Sequence, residues 1–324
     1  MFYLLKKNYL LQIFALVAVL VLCGVQIFFN SLETTYLDGC LPCAAALASA
    51  AVSHPLLLKI SLFLSLLLQM WLLFRYVSMS GFLEEESILP SSLLFALLLA
   101  MGIFQPLSSA SITNLAILLV LNLNGDFQGK SAPTTTLISG IIIGLNSLFD
   151  IAAALLLLFY VIMLFVNRLE KIKSVLTAIC GVILVYIYLF SAHFFRGTLI
   201  ELWNSFSHLH CSFPIFTQTH FSVYAFIAIA LFALFSFYVM VRLKVQYDSK
   251  LILLRQRFLF LCVLFVFGIL MLLTSNLPFP FSLTYLLIPA TCYIVAFIPS
   301  RGFAIPAELL LCILSASLIV MARL

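Results

Sequence analysis

Two cysteines at Cys-x-x-Cys spacing, Cys40 and Cys43, lie in the segment YLDGCLPCAAALASAAVSHP, residues 36–55. Where such a pair begins a helix, the helix N-terminus stabilises a thiolate and the spacing allows a reversible disulfide, so the motif indicates thiol redox chemistry. A membrane thiol oxidase also needs a second cysteine pair, and in the topology predicted below only Cys211 lies on the same side. Three interpretations stay open: a redox pair, a structural disulfide and two inert cysteines.

Acidic and basic side chains on that side indicate a second chemistry, sugar transfer from a polyprenyl diphosphate. Such a transferase needs a carboxylate as general base and cations that bind the diphosphate. Glu33 and Asp38 are the predicted catalytic carboxylates. The residues predicted to bind the substrate are Lys59, Asp150 and Arg196. The sequence favours a simpler alternative, in which Lys59 extends to lipid headgroups, Asp150 ends a tight turn and the other charges are solvated.

Histidines in a second polar loop, 196–219, form a third set of candidates. His208 and His210 lie next to Cys211, and imidazole and thiolate groups suit zinc or copper. Loop histidines near a membrane interface more often bind water and headgroups, so we expect no metal and no cofactor. His208 and His210 are instead candidates for substrate binding.

The composition of the chain decides what kind of fold must position these residues. The 324 residues are 65% hydrophobic and 8% charged, with a mean hydropathy of +1.25, so they cannot form the polar surface of a soluble protein. The sequence predicts one all-α membrane domain, residues 1–324, a bundle of transmembrane helices in the lipid bilayer. The net charge of +5 follows from membrane orientation, and we predict no nucleic acid partner.

Apolar segments between charged or Pro/Gly breaks predict about nine to eleven spans, some of them short or re-entrant. The eleven segments are 10–29, 56–75, 91–105, 109–123, 134–149, 151–166, 174–195, 220–241, 258–275, 281–298 and 305–322. A single helix over 134–166 would be about 50 Å long, well beyond a hydrocarbon core of about 30 Å. It should therefore break at NSLFD, residues 146–150, where polar side chains can meet an interface, and 91–123 should break near Pro106.

The distribution of Lys and Arg predicts the orientation, because these residues resist translocation. With a cytoplasmic N-terminus, thirteen of the sixteen Lys and Arg residues fall in inner loops, two fall in outer loops and Lys59 lies within a span. The loops 30–55 and 196–219 then face outward. We predict a multi-pass protein of the bacterial inner membrane.

Polar and small residues within the predicted spans indicate helix packing. Buried amides can hydrogen-bond between helices or line a cavity, and the first role is the more common. The amides are Gln69, Asn114, Asn122 and Asn146. The spacing of Gly140 and Gly144 permits close helix contact. The sequence contains Gly129-Lys130-Ser131 without the full Walker spacing, because Asn124 stands where that motif needs its first glycine. It has no nucleophile elbow and no HExxH motif, so nucleotide-driven transport and familiar hydrolytic chemistry have no support.

Three apolar segments account for a resemblance that covers most of the chain. They are SSLLFALLLAMGIFQPLSSASITNLAILLVLNL, ISGIIIGLNSLFDIAAALLLLFYVIML with the basic turn after it, and LTYLLIPATCYIVAFIPSRGFAIPAELLLCIL. In these segments the chain resembles an uncharacterised family of polytopic inner-membrane proteins from Bacteroidota. The resemblance implies a helical membrane fold and brings no assigned activity. Asp150 stands where that family usually has an aromatic residue.

A second resemblance is to membrane glycosyltransferases that use lipid-linked sugars. It involves Glu33 and Asp38 before LPCAAALASAAV, and the Gly-x-x-x-Gly-Leu segment at 140–145. It implies an outward-facing site for a lipid-linked substrate. The chain lacks the large outer domain of those enzymes, and the loop 196–219 is short.

Three functions follow from these observations as expectations. The favoured one is an inner-membrane protein of unassigned activity in cell-envelope assembly, acting with another membrane protein. The first alternative is the glycosyltransferase. The second is a small-molecule transporter, which predicts broken helices at 146–150 and near Pro106 around a site within the membrane.

Overall fold

A computed structural model describes residues 9–29, 53–80, 88–100, 109–124, 133–166, 171–200, 202–203, 234, 237–244, 252–274 and 284–297. Within these ranges the regular elements are helices and no strand is present, which confirms the all-α prediction. The α-helices are α1 (Tyr9–Phe29), α2 (Pro55–Ser80), α3 (Leu89–Ala100), α4 (Ser109–Asn124), α5 (Pro133–Ser147), α6 (Leu155–Val166), α7 (Lys171–Phe195), α8 (Ile252–Thr274) and α9 (Thr284–Phe297). A 3-10 helix, Ile151–Ala154, precedes α6, and residues 237–244 are also helical.

Four of these helices are long and apolar enough to cross a membrane. Their candidate spans are Gln12–Phe29, Pro55–Met79, Ile172–Phe195 and Leu254–Thr274, in α1, α2, α7 and α8. Large apolar side chains point outward from them, including Phe14 of α1 and Ile187 of α7, as a lipid-facing surface requires. The described part of the chain is therefore a helical bundle with four candidate spans. The larger number of nine to eleven stays a prediction.

The shorter helices differ in burial. The helices α3, α4, α5, α6 and α9 have 12 to 16 residues. At about 1.5 Å per residue they are about 18 to 24 Å long, less than a hydrocarbon core of about 30 Å. Every side chain from Thr284 to Ala296 of α9 is buried, and α9 packs against α3, α4 and α8, whereas α5 and α6 each expose large apolar side chains on one face.

The predicted break within 134–166 is present. The helix α5 ends at Ser147, a turn follows, and the 3-10 helix begins at Ile151. The turn is closed by the Leu148 amide, which donates to the Leu145 carbonyl at 3.2 Å, and by the Phe149 amide, which donates to the Asn146 carbonyl at 3.0 Å. The helix α3 ends at Ala100 and α4 begins at Ser109. Pro106 lies between them in the sequence, outside the described residues.

Glycines bring α5 and α7 into backbone contact. A Cβ added to Gly140 would overlap the Ala178 carbonyl, and one added to Gly181 would lie 2.6 Å from the Leu137 oxygen. A Cβ at Gly144 would lie 3.1 Å from the Val182 Cα. The close contact expected from the Gly140 and Gly144 spacing is confirmed. Gly140 contacts Ala178 and Gly144 contacts Val182, so the residue order is the same along both helices and they run parallel.

Candidate functional site

Asp150 is a buried carboxylate in this apolar bundle. Its side chain is 8% exposed, and its Oδ2 atom accepts a short hydrogen bond from the Tyr285 hydroxyl. Tyr285 is fully buried in the first turn of α9. An ionised carboxylate is costly to bury, and a hydroxyl donor offsets part of that cost. The contact joins two segments that are 135 residues apart in the chain.

The backbone around Asp150 explains why its side chain enters the interior. The Asp150 amide donates to the Asn146 carbonyl at 3.2 Å, which ends α5. The Asp150 carbonyl accepts from the Ala153 amide at 3.0 Å, which begins the 3-10 helix. Aspartate is common in such turns. Asp150 is thus held on both sides of the helix break, between the buried residues Leu148 and Ala153.

Two polar residues of the last α5 turn form separate side-chain pairs beside the same helix break. The Asn146 Oδ1 atom accepts from the Thr113 hydroxyl of α4 at 3.2 Å, whereas the buried Asn146 Nδ2 has no hydrogen-bond partner. The Ser147 hydroxyl donates to the Gly144 carbonyl at 2.7 Å and lies 2.8 Å from the Tyr186 hydroxyl of α7. Because the Ser147 hydroxyl proton is donated to the Gly144 carbonyl, the Tyr186 hydroxyl is the donor to Ser147.

We call the residues of this site the Asp150 cluster. Its members come from α4, α5, α7, α9 and the turn after α5, and they are Thr113, Asn146, Ser147, Asp150, Tyr186 and Tyr285. The cluster joins the ends of short helices to the middle of a long one. Its chemical content is one carboxylate, one amide with unused N–H donors, and hydroxyl groups.

The pairing of α5 with α7 sets the depth of the Asp150 cluster. Tyr186, which contacts Ser147, lies nine residues before the end of the candidate span Ile172–Phe195 and fourteen residues after its start. These separations correspond to about 13 Å and about 21 Å along the helix. Ser147 therefore lies at a level within the candidate span of α7, and the predicted position of 146–150 at an interface stays a prediction.

The other described substrate-binding candidates lie elsewhere. The Lys59 ammonium group donates to the Phe28 carbonyl at 3.0 Å, where α2 begins beside the end of α1. Arg196 is exposed in the turn after α7. Neither residue belongs to the helix break that holds Asp150.

Most of the remaining candidates cannot be placed. Those outside the described residues are Glu33, Asp38, Cys40, Cys43, His208 and His210. Within the described ranges, no group of three or more His, Cys, Asp or Glu side chains is arranged to hold a metal ion.

Sequence reasoning missed three members of the cluster. Thr113, Tyr186 and Tyr285 carry no local signal, because hydroxyl residues are common in apolar helices. The one available signal for Tyr285 was the proline four residues later, since Pro289 has no N–H to donate to the Tyr285 carbonyl. A proline within a fully buried helix indicates a local kink or break.

A second buried polar group lies near the opposite ends of α4 and α5. We call it the Asn124 cluster, formed by Asn124, Ser139 and Tyr160. The Asn124 Nδ2 atom donates to the Val120 carbonyl at 2.6 Å and to the Ser139 hydroxyl at 3.0 Å. Its Oδ1 atom accepts from the Tyr160 hydroxyl at 3.0 Å. Both Asn124 amide atoms are bonded, so this cluster has the pattern of an interhelical contact.

The other amides lie between helices, and two of them, Asn114 and Asn122, also have a buried Oδ1 atom without a hydrogen-bond partner. Gln69 donates to the Ser111 carbonyl at 3.1 Å, and Asn122 donates to the Leu72 carbonyl at 2.8 Å. Both bonds join α2 to α4, as predicted for amides between helices.

Comparison of the chain with protein-family models, curated proteins and solved structures finds no match.

Proposed function

We propose that this protein is a multi-pass membrane transporter that moves a small polar solute across the bilayer through a site at the Asp150 cluster. One observation carries the proposal: a carboxylate, 8% exposed, lies at a helix break within the depth of a candidate span. Ionisable groups at membrane depth are costly and commonly mark substrate or ion pathways. Transporters place such sites near the middle of the membrane, between discontinuous helices.

One interrupted helix and one proline within a continuous helix support this function. The α5 helix stops at Ser147 and resumes as a 3-10 helix at Ile151. Across the Asp150 to Tyr285 contact, α9 contains Pro289, which removes the helical hydrogen bond to the Tyr285 carbonyl. Backbone irregularity at membrane depth is tolerated where it is enclosed by protein or lines a polar cavity. Both partners of the central contact therefore lie next to a weakened backbone.

The unused hydrogen-bonding capacity of Asn146 supports a ligand at the same place. Its Nδ2 atom is buried and has no partner. A buried polar group without a partner costs about 1 to 3 kcal/mol and calls for an explanation such as a ligand. In our proposal the solute offers an acceptor to Asn146 and a hydrogen-bond donor or positive charge to Asp150.

Composition and charge distribution support the wider setting. We place the transporter in the bacterial inner membrane with a cytoplasmic N-terminus and about nine to eleven spans. A role in cell-envelope assembly stays a prediction, as does the resemblance to the Bacteroidota family. Lipid-linked sugar transfer depends on Glu33 and Asp38, outside the described residues, and also stays a prediction.

Cysteine accessibility tests the transporter without knowledge of its solute. All eight native cysteines are replaced, Asn146→Cys is introduced, and a membrane-impermeant maleimide is applied to right-side-out and inverted vesicles. A transport site opens alternately to each side, so the cysteine at position 146 should be labelled in both preparations. Ser139→Cys, in the fully bonded Asn124 cluster, is the matched control and should be labelled in neither.

Two labelling results would contradict the transporter proposal. If position 146 reacts from neither side, or only from one, the site does not alternate and the transporter is wrong. If positions 146 and 139 react equally, general opening of the bundle explains the labelling, and the proposal is again overturned.

A further inference from the structure

We infer that Asp150 takes up and releases a proton during the transport cycle, so that the ion coupled to solute movement is H⁺. This inference rests on the proposed function and adds the identity of the coupling ion. It starts from the burial of Asp150 beside Leu148, Ala153 and Leu156, all of which are buried. In such surroundings the ionised carboxylate is costly and the neutral acid is not. A change in water access at this position therefore changes the preferred protonation state.

The groups that face Asp150 are consistent with a single exchangeable proton. Among the described residues, α9 contributes Tyr285 and α7 contributes Tyr186 through Ser147. Phenols are neutral near pH 7, because their reference pKa is about 10. Neither α4 nor α5 contains a titratable side chain in its described range. The proposal therefore assigns the exchangeable proton of this cluster to the Asp150 carboxyl group.

The more distant titratable groups lie along the packed helices. On α7, His193 lies seven residues, about 10 Å along the helix, after Tyr186, and its Nδ1 atom is 2.8 Å from the Thr198 hydroxyl. On α6, Tyr160 is hydrogen-bonded to Asn124 in the other cluster. On α8, Gly268 lies against the Tyr285 carbonyl, and the two arginines of α8 lie eleven or more residues before Gly268. That separation is at least about 16 Å along the helix.

The donor arrangement favours a proton over a divalent metal cation. Hard divalent cations prefer six to eight oxygen ligands. Here the Tyr285 hydroxyl already donates to Oδ2, and a donated proton occupies a lone pair that a metal would need. Within the described ranges no set of three or more His, Cys, Asp or Glu side chains surrounds a common point. A proton needs only one oxygen of the carboxylate.

The proposed step is balanced in charge. Water on one side of the membrane supplies one H⁺ to the Asp150 carboxylate, whose charge changes from −1 to 0. After the site opens to the other side, the O–H bond breaks and the proton returns to water there. Tyr285 keeps its own proton and remains a donor to the carboxyl group in both states. No electrons are transferred.

Infrared difference spectroscopy of the purified protein in lipid nanodiscs, titrated with acid and alkali, tests this inference. On acidification the wild type should show a component of the protonated-carboxyl carbonyl band that is absent from Asp150→Asn, which keeps the other ten Asp and Glu residues. Tyr285→Phe should shift the band because it removes the hydrogen bond to Oδ2. Tyr160→Phe, the matched control in the Asn124 cluster, should leave the band unchanged.

The outcome separates the inference from the proposed function. If no titrating band disappears in Asp150→Asn, proton coupling at Asp150 is wrong, and two-sided labelling at position 146 would still support a transporter. If the band is present but position 146 is not labelled from both sides, the transporter is wrong and Asp150 has no role in a cycle. A band that shifts equally in Tyr285→Phe and Tyr160→Phe overturns the assignment of the band to Asp150.

Discussion

The Asp150 cluster and the Asn124 cluster connect the same two helices, α4 and α5, and differ in how completely their polar atoms are bonded. Thr113 and Asn124, one in each cluster, are eleven residues apart, about 16 Å along α4. In the Asn124 cluster both amide atoms of the central residue have partners. In the Asp150 cluster Asn146 Nδ2 has none. The Asn124 cluster has the properties of a structural contact, and the Asp150 cluster has those of a site that can bind a ligand.

The difference follows from the backbone. Asn124 ends α4, and its side chain bonds back to the Val120 carbonyl of its own helix, so the local geometry holds it in place. Asn146 precedes a break, and its carbonyl is used by the amides of Phe149 and Asp150. A broken helix offers fewer local partners to nearby side chains. The same break allows a carboxylate to enter the interior.

The largest predicted effect concerns the helix contact that positions Ser147 beside Tyr186. Gly181→Leu should lower the free energy of unfolding by about 3 kcal/mol or more, because the new side chain must enter the backbone contact with Leu137. Unfolding by SDS in mixed micelles measures this change. Gly24→Ala is the control, because its Cβ would lie 3.7 Å from the Phe63 ring, an ordinary van der Waals contact distance. Equal stability of both variants would show that α5 and α7 can separate without cost.

The next effect compares the two asparagines directly. Asn124→Leu should lower the free energy of unfolding by about 2 kcal/mol, because the Tyr160 and Ser139 hydroxyls each lose their bond to the amide. Asn146→Leu removes one hydrogen bond, worth about 0.6 kcal/mol between membrane helices, and also the unbonded Nδ2, whose burial costs about 1 to 3 kcal/mol. This variant should therefore be no less stable than the wild type. The same micelle assay applies to both variants. A larger loss at position 146 would contradict the distinction between the clusters.

A smaller effect compares the two tyrosines. Tyr285→Phe should cost about 2 kcal/mol at alkaline pH, where it removes a donor to an ionised carboxylate, and Tyr160→Phe about 1 kcal/mol. Protonation of Asp150 weakens only the first bond, so the gap between the variants should narrow as the pH falls. Stability curves of both variants across pH check this. A constant gap would mean that Asp150 does not titrate over the range measured.

The smallest effect is expected at Lys59. Its bond to the Phe28 carbonyl is partly exposed, so Lys59→Met should change the free energy of unfolding by less than about 1 kcal/mol. Labelling of a cysteine at position 146 should be unchanged, because Lys59 lies at the α1–α2 contact. A loss of labelling in this variant would extend the site to Lys59 and restore its predicted role in substrate binding.

Several features of the bundle followed from sequence alone. The break near 146–150 was predictable because 134–166 is too long for one helix across a bilayer. The spacing of Gly140 and Gly144 indicated that α5 could contact another helix closely. It did not indicate that the partner would be α7. Gln69 and Asn122 act between helices as expected.

The partners of Asp150 could not be predicted in this way. Tyr285 is 135 residues away, and no local pattern links the two. The level of the break along α7 could not be predicted either, because it depends on how α5 packs against α7.

The sequence by itself determined that this chain forms apolar helices and where one of them must break, because hydropathy and helix length are local properties. Only the tertiary structure decided which polar atoms are bonded, which are left without a partner, and that Asp150 meets Tyr285 within the bundle. Hydrogen bonds between helices depend on the relative displacement of whole helices, and that displacement is set by packing contacts distant in the chain.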